Sequence, residues 1–162
     1  MTEERGLPER SQIVQRQLDR AGLTARVREL PESTRTAAEA AAALRCDVGA
    51  IASSLLFFAD GLPLLVMSSG RHRVDTTILA TEVGAEAIEM ASAKQVREVT
   101  GQAVGGVAPI GHPVPVRTVI DRSLASYETV WTAGGTPHTV VPLSFDELTA
   151  VTGGEPVAVS VD

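Results

Sequence analysis

Midway along the chain stands the run Gly105-Gly106-Val107-Ala108-Pro109-Ile110-Gly111-His112. Three glycines and a proline so close together can continue neither a helix nor a central strand. They dictate an irregular loop that turns sharply and brings main chain close to whatever lies against it, because glycine has no side chain to hold a neighbour off. Such a loop presents N–H donors. Two readings follow: a tight connection between a helix and a strand, or a main-chain cradle for a ligand built on Gly105-x-x-x-Pro109-x-Gly111-His112.

The elements on either side are legible from periodicity and capping. Ser11–Ala21 carries Ile13, Val14 and Leu18 at helical spacing, with Gly22 as a stop. Thr36-x-x-Glu39, Ser92-x-x-Gln95 and Ser144-x-x-Glu147 are capping boxes, in which a hydroxyl takes a helix N–H and the third residue on reaches back, so three helices start there. The apolar runs Ile51–Ala59 and Leu62–Ser68, split by Asp60-Gly61, read as a hairpin. Ala25–Leu30, Ala87–Met90, Val114–Ile120, Thr129–Ala133, His138–Val141 and Val157–Val161 read as strands, and Asp75–Val83 as a helix. No internal repeat, linker or low-complexity segment interrupts them. The expected fold is mixed α/β over residues 1–162: a single domain with one mixed, largely antiparallel sheet or partial barrel surrounded by helices.

A chain of 162 residues buries about 70% of its unfolded surface without staples. Its single cysteine, Cys46, excludes an internal disulfide and a cysteine-based zinc cluster, and is expected to be a small buried hydrophobe. Met1–Arg10 lacks the apolar stretch of a leader or anchor, and no run reaches the ~20 apolar residues of a membrane span, so a cytoplasmic location is expected. The net charge of −6 and pI near 5.1 deny the chain the global basic field of a protein that grips nucleic acid by its phosphates. Any such contact must be local, and DNA is not an expected partner. Lys94 is the only lysine among cations that are otherwise arginine.

The helix ending in Thr100-Gly101, the glycine loop, Val119-Ile120-Asp121-Arg122-Ser123-Leu124 and then Gly134-Gly135 come in an order that resembles the YbaK family, which is similar to the editing domain inserted in bacterial prolyl-tRNA synthetases. The resemblance covers roughly residues 30–155. It implies a deacylase that hydrolyses the ester of a mischarged tRNA, with the tRNA acceptor end as partner, a synthetase as a second one, and no cofactor. It also implies that proton transfer uses a ribose hydroxyl of the substrate, so a missing Ser-His-Asp or HExxH motif is no objection. On this reading Gly105 and Gly106 present main-chain N–H groups to the developing oxyanion, while Pro109, Gly111, His112, Gly134, Gly135 and His138 shape the substrate pocket.

One position departs from the family pattern. Where the resemblance places a lysine, Ile51-Ala52-Ser53-Ser54-Leu55-Leu56-Phe57 carries Ser53, and a hydroxyl on one carbon cannot reach the oxygens that an ammonium on a long stem can. Ser53 is therefore either part of a rebuilt catalytic pocket or the mark of a module that binds an aminoacyl-tRNA end, or a small amino-acid-like ligand, without hydrolysis. Two readings also stand for His138, pocket wall or exposed strand end. His112 is expected to brace the loop first and meet ligand second. Asp121 is expected to hold the loop in shape, and His72, between Arg71 and Arg73, to lie in a solvated turn. Three scattered histidines give no metal site.

Overall fold

Thr36, Ser92 and Ser144 each accept the N–H of the residue three on, and Glu39, Gln95 and Glu147 return a side-chain oxygen to the cap N–H. All three capping boxes thus form. In the computed structural model, which describes residues 6–162, they open α2 (Ala37–Leu44), α4 (Ala93–Thr100) and α5 (Phe145–Thr152). Asp75 caps α3 (Thr76–Val83) through the N–H groups of Thr77 and Ile78, and α1 (Glu9–Arg20) follows Pro8. The reading of Met1–Arg10 falls in part outside the described residues.

The strands are β1 (Arg28–Glu29), β2 (Ile51–Ala59), β3 (Leu62–Ser69), β4 (Ile88–Met90), β5 (Arg117–Asp121), β6 (Val130–Ala133), β7 (Thr139–Leu143) and β8 (Glu155–Val157). They form one open sheet in the order β1-β7-β6-β2-β3-β5-β8, with β4 added beside β2. The sheet is more mixed than expected, because β2·β6, β3·β5 and β5·β8 pair in parallel. Three strands come out shorter than their apolar patterns, each for a hydrogen-bonding reason. The Val27 N–H is taken by the Gln15 side chain at 2.8 Å, so β1 cannot extend back to Ala25. Pro113 and Pro115 have no N–H to give a ladder, and β5 begins after them. Beyond Val157, the Ala158 N–H goes to Glu82 and the Val159 carbonyl to Asp75, which pulls the chain off the sheet.

Alternation along β3 sends Leu65 and Met67 to one face and Leu64 and Val66 to the other. The first face packs with Val14 and Leu18 of α1, Val96 of α4 and Leu148 of α5; the second packs with Leu79 and Val83 of α3. A smaller apolar group, Ala40, Ala41 and Ile51 with half-buried Trp131 and Cys46, seats α2 across the end of β2. Cys46 is only half-buried there, and burial pushes its thiol pKa up.

What positions the site is the second edge of β2. One edge pairs with β3 along nearly the whole strand, from Ala52↔Ser69 to Ala59↔Leu62. The other is shared: β6 takes Ile51 and Ala52, β4 takes Phe57 to Ala59, and the two diverge between. The Ile51 carbonyl accepts from Gly70 beside β3, and the Leu56 carbonyl accepts from Ala91 beside β4. By strand alternation the N–H and C=O of Ser54 therefore face the gap.

Candidate functional site

A cavity of about 270 Å³ opens at this gap. Its floor is Ala52, Ser53, Ser54 and Leu55 of β2, one wall is Trp131–Ala133 of β6 with Val140, and the other is Val104, Gly105 and Val107 of the glycine loop. Thr34, Arg35 and the start of α2 close the mouth. The fold thus brings Ser53 and Gly105, 52 positions apart by numbering, into one cavity. Arg35 is its single charged lining side chain among the described residues.

The glycine loop is held from inside. The Gln102 side chain accepts the Ala108 N–H at 2.7 Å and donates to the Ile110 carbonyl at 3.2 Å, and the Gln17 side chain accepts the Gly111 N–H at 3.0 Å. The expectation that Gly106 offers a free N–H is corrected by the structure, since that group donates to the Ala103 carbonyl at 2.9 Å. Gly106 instead permits close packing: a Cβ there would sit 2.5 Å from the Thr136 carbonyl carbon and 2.8 Å from the Pro137 nitrogen. Those neighbours are main chain and cannot swing aside. Gly106→Ala is expected to cost about 1–3 kcal/mol through overpacking, read from urea denaturation.

Gly105 is different. Its φ of +87° lies in the left-handed region, and a Cβ would meet the Arg35 stem. Among the described residues no hydrogen-bond partner takes the N–H of Gly105 or Val107, and both residues line the cavity. With Val104, whose N–H also has no partner among the described residues, they supply main-chain donors on that wall.

The other predicted pocket residues do not line the cavity. Pro109 is buried within the loop. Gly134 and Gly135 turn from β6 to β7 beneath α1: Ser11 Oγ donates to the Gly134 carbonyl at 2.7 Å, and a Cβ at Gly135 would come 3.2 Å from the Arg10 main chain. His138 is exposed, its ring 3.1 Å from the Glu32 carbonyl. This turn acts on the cavity indirectly, because the Pro137 carbonyl accepts both the Thr34 N–H at 2.6 Å and the Thr34 hydroxyl at 2.9 Å.

Gly111 and His112 lie on a separate depression with Arg10, Ile13 and Pro113. His112 Nε2 donates to the Ala108 carbonyl at 2.9 Å and so closes the loop on itself. Burial holds its pKa below the ordinary 6.5, against the opposing pull of that hydrogen bond. A histidine depressed in the folded state binds its proton more readily when unfolded, so its stabilising share is present above pH 6.5 and is lost as pH falls through the folded value. Wild-type stability is expected to fall between pH 7 and pH 5, with a slope of at most about 1.4 kcal/mol per pH unit from this group, and His112→Gln should flatten that slope.

His72 is not a solvated turn residue. Its side chain is 2% exposed and its Nδ1 lies 2.7 Å from Asp121 Oδ2. Asp121 also accepts the N–H groups of Ser69 and Ser123, each at 3.0 Å. It therefore braces the end of β3 and the turn after β5, not the glycine loop. The Ser123 hydroxyl approaches the same His72 nitrogen at 3.5 Å, whereas a nucleophilic triad places serine and carboxylate on opposite nitrogens. None of the three lines the cavity.

Sequence reading missed the mouth residues Thr34 and Arg35 and the wall Trp131–Ala133. The Thr36 capping box locates the start of α2, but only the packing of Ala40 and Ile51 reveals that this start faces the glycine loop.

Residues 31–151 match the model of the aminoacyl-tRNA editing domain. The chain is 38% identical to a candidate trans-editing enzyme for prolyl tRNA synthetase of known structure, with a TM-score of 0.90 over 96% of this chain and 99% of that one. It is 31% identical to the Bacillus subtilis protein YwhH, over 75% of this chain and 78% of YwhH. A 92-residue stretch is 32% identical to the proline–tRNA ligase of Lysinibacillus sphaericus, covering 57% of this chain and 16% of the ligase.

Proposed function

This chain belongs to the aminoacyl-tRNA editing domain family, and from that premise we propose that it hydrolyses, in trans, the ester joining a mischarged amino acid to the 3′ end of a tRNA. The observation that carries the reading is the meeting of the open β2 edge and the Gly105 wall in one cavity. An aminoacyl group lying in the gap has the Ser54 main chain beneath it and the loop N–H groups beside it. Water adds to the ester carbonyl carbon, the carbonyl oxygen takes up negative charge against those N–H donors, and the C–O bond to the ribose then breaks. The water's proton ends on the ribose oxygen, giving free amino acid and a tRNA with its hydroxyl restored. One such donor is worth about 2.7–4 kcal/mol in comparable acyl transfers. The mostly apolar wall of Ala40, Ile51, Val107 and Val140 suits a small side chain better than a charged one.

Extensive likeness to a candidate trans-editing enzyme supports action on a tRNA released by a synthetase. A second reading, a module that binds the acceptor end without hydrolysing it, is favoured by one observation: Ser53 occupies the cavity floor where the family pattern carries lysine. A deacylation screen of the purified protein against tRNAs mischarged with each small amino acid separates the two. Hydrolysis above the uncatalysed rate for at least one substrate is expected. Binding without hydrolysis across the panel leaves the second reading.

A further inference from the structure

We propose that Arg35 is the cation that grips the terminal phosphate of the tRNA 3′ end at the cavity mouth; this deepens the deacylase reading and rests on it. Among the described residues, Arg35 is the only charged side chain lining the cavity. It is exposed, and among the described residues no carboxylate pairs with its guanidinium. Its stem lies across Gly105, with Cβ and Cδ each 3.3 Å from where a Cβ of residue 105 would stand. The aliphatic part thus covers the loop wall and leaves the planar head at the opening, the usual disposition of a long cationic side chain over apolar surface.

Two further features agree. Arg35 immediately precedes the Thr36 cap of α2, and Thr36 and Ala37 also line the cavity, so the positive end of that helix dipole faces the same space. Ser53 on the floor is short, which leaves the opening to the guanidinium. A planar fork binds phosphate oxygens in pairs where an ammonium acts as a point charge. In a chain of net charge −6, one correctly placed cation also gives a local contact without a basic surface.

The test uses the full chain, an uncharged RNA minihelix ending in single-stranded CCA, the same duplex without the overhang, and the mischarged tRNA panel. Arg35→Gln is expected to weaken minihelix binding and lower kcat/KM by roughly 10- to 100-fold, the range for one lost hydrogen bond to a charged group. The salt slope of binding should shrink by about 0.7, one phosphate on a single strand. Arg35→Lys should keep the slope and part of the affinity, and Ser53→Lys should rescue Arg35→Gln by returning a cation to the same opening. Unchanged affinity, slope and kcat/KM in Arg35→Gln would overturn the Arg35 assignment alone. So would equal, Arg35-dependent binding of the duplex without its overhang. Wild-type protein that neither binds the minihelix nor deacylates any tRNA overturns the deacylase reading and this assignment together.

Discussion

Gly105→Val is expected to lose 100- to 1000-fold in single-turnover deacylation while remaining folded, a loss of about 2.7–4 kcal/mol in transition-state stabilisation. The backbone at Gly105 has φ +87°, a region that costs a β-branched residue of order 1–3 kcal/mol. Valine will escape that strain by rotating the local peptide planes, and those planes carry the N–H groups of the cavity wall. Its Cβ would also collide with the Arg35 stem, but a flexible side chain can move aside. The two effects are separable. If valine acted only by displacing Arg35, its loss would equal that of Arg35→Gln and the double variant would add nothing. Rotation of the peptide planes should give a larger loss than Arg35→Gln and a Tm lowered by no more than the strain implies. Full activity in Gly105→Val would remove the loop from the site.

Legibility from sequence followed the range of the interaction responsible. Capping boxes, the Asp60-Gly61 turn and the β2–β3 hairpin are local, and the structure matches them nearly residue for residue. The glycine loop announced itself by composition. What could not be read was which loop groups are already satisfied, because the partners of Gly106, Ala108 and Gly111 include Gln102 and the distant Gln17. Parallel pairing of β3 with β5 and β5 with β8 was hidden for the same reason, since strand alternation does not name a partner. His72 illustrates the limit most plainly. Flanked by arginines after Ser69-Gly70, it has every local mark of a solvated turn, and a carboxylate 49 positions away buries it.

That carboxylate supports the largest expected loss of stability. Asp121→Ala should cost about 3 kcal/mol at pH 7, the upper end for hydrogen bonds lost to a charged group, because Asp121 is 1% exposed and its removal strands His72 and the N–H groups of Ser69 and Ser123 together. Burial pushes the Asp121 carboxyl up, and the combined hydrogen bonds from His72, Ser69 and Ser123 outweigh it, leaving its pKa below the ordinary 3.8. With the folded value depressed, the stabilisation is complete above the unfolded pKa and disappears as pH falls through the folded one. The gap between wild type and Asp121→Ala in urea denaturation should therefore be full at pH 7 and narrow below pH 3.8. A gap under about 1 kcal/mol at pH 7 would refute the brace. Its failure should also reach the cavity: Ser69 Oγ donates to the Gly49 carbonyl at 2.7 Å, and Gly70 packs so closely on Val48 and Ala37 that a Cβ would stand 2.7 Å from the Ala37 methyl. Loosening that turn frees the start of α2, and with it the residue next to the Thr36 cap, Arg35.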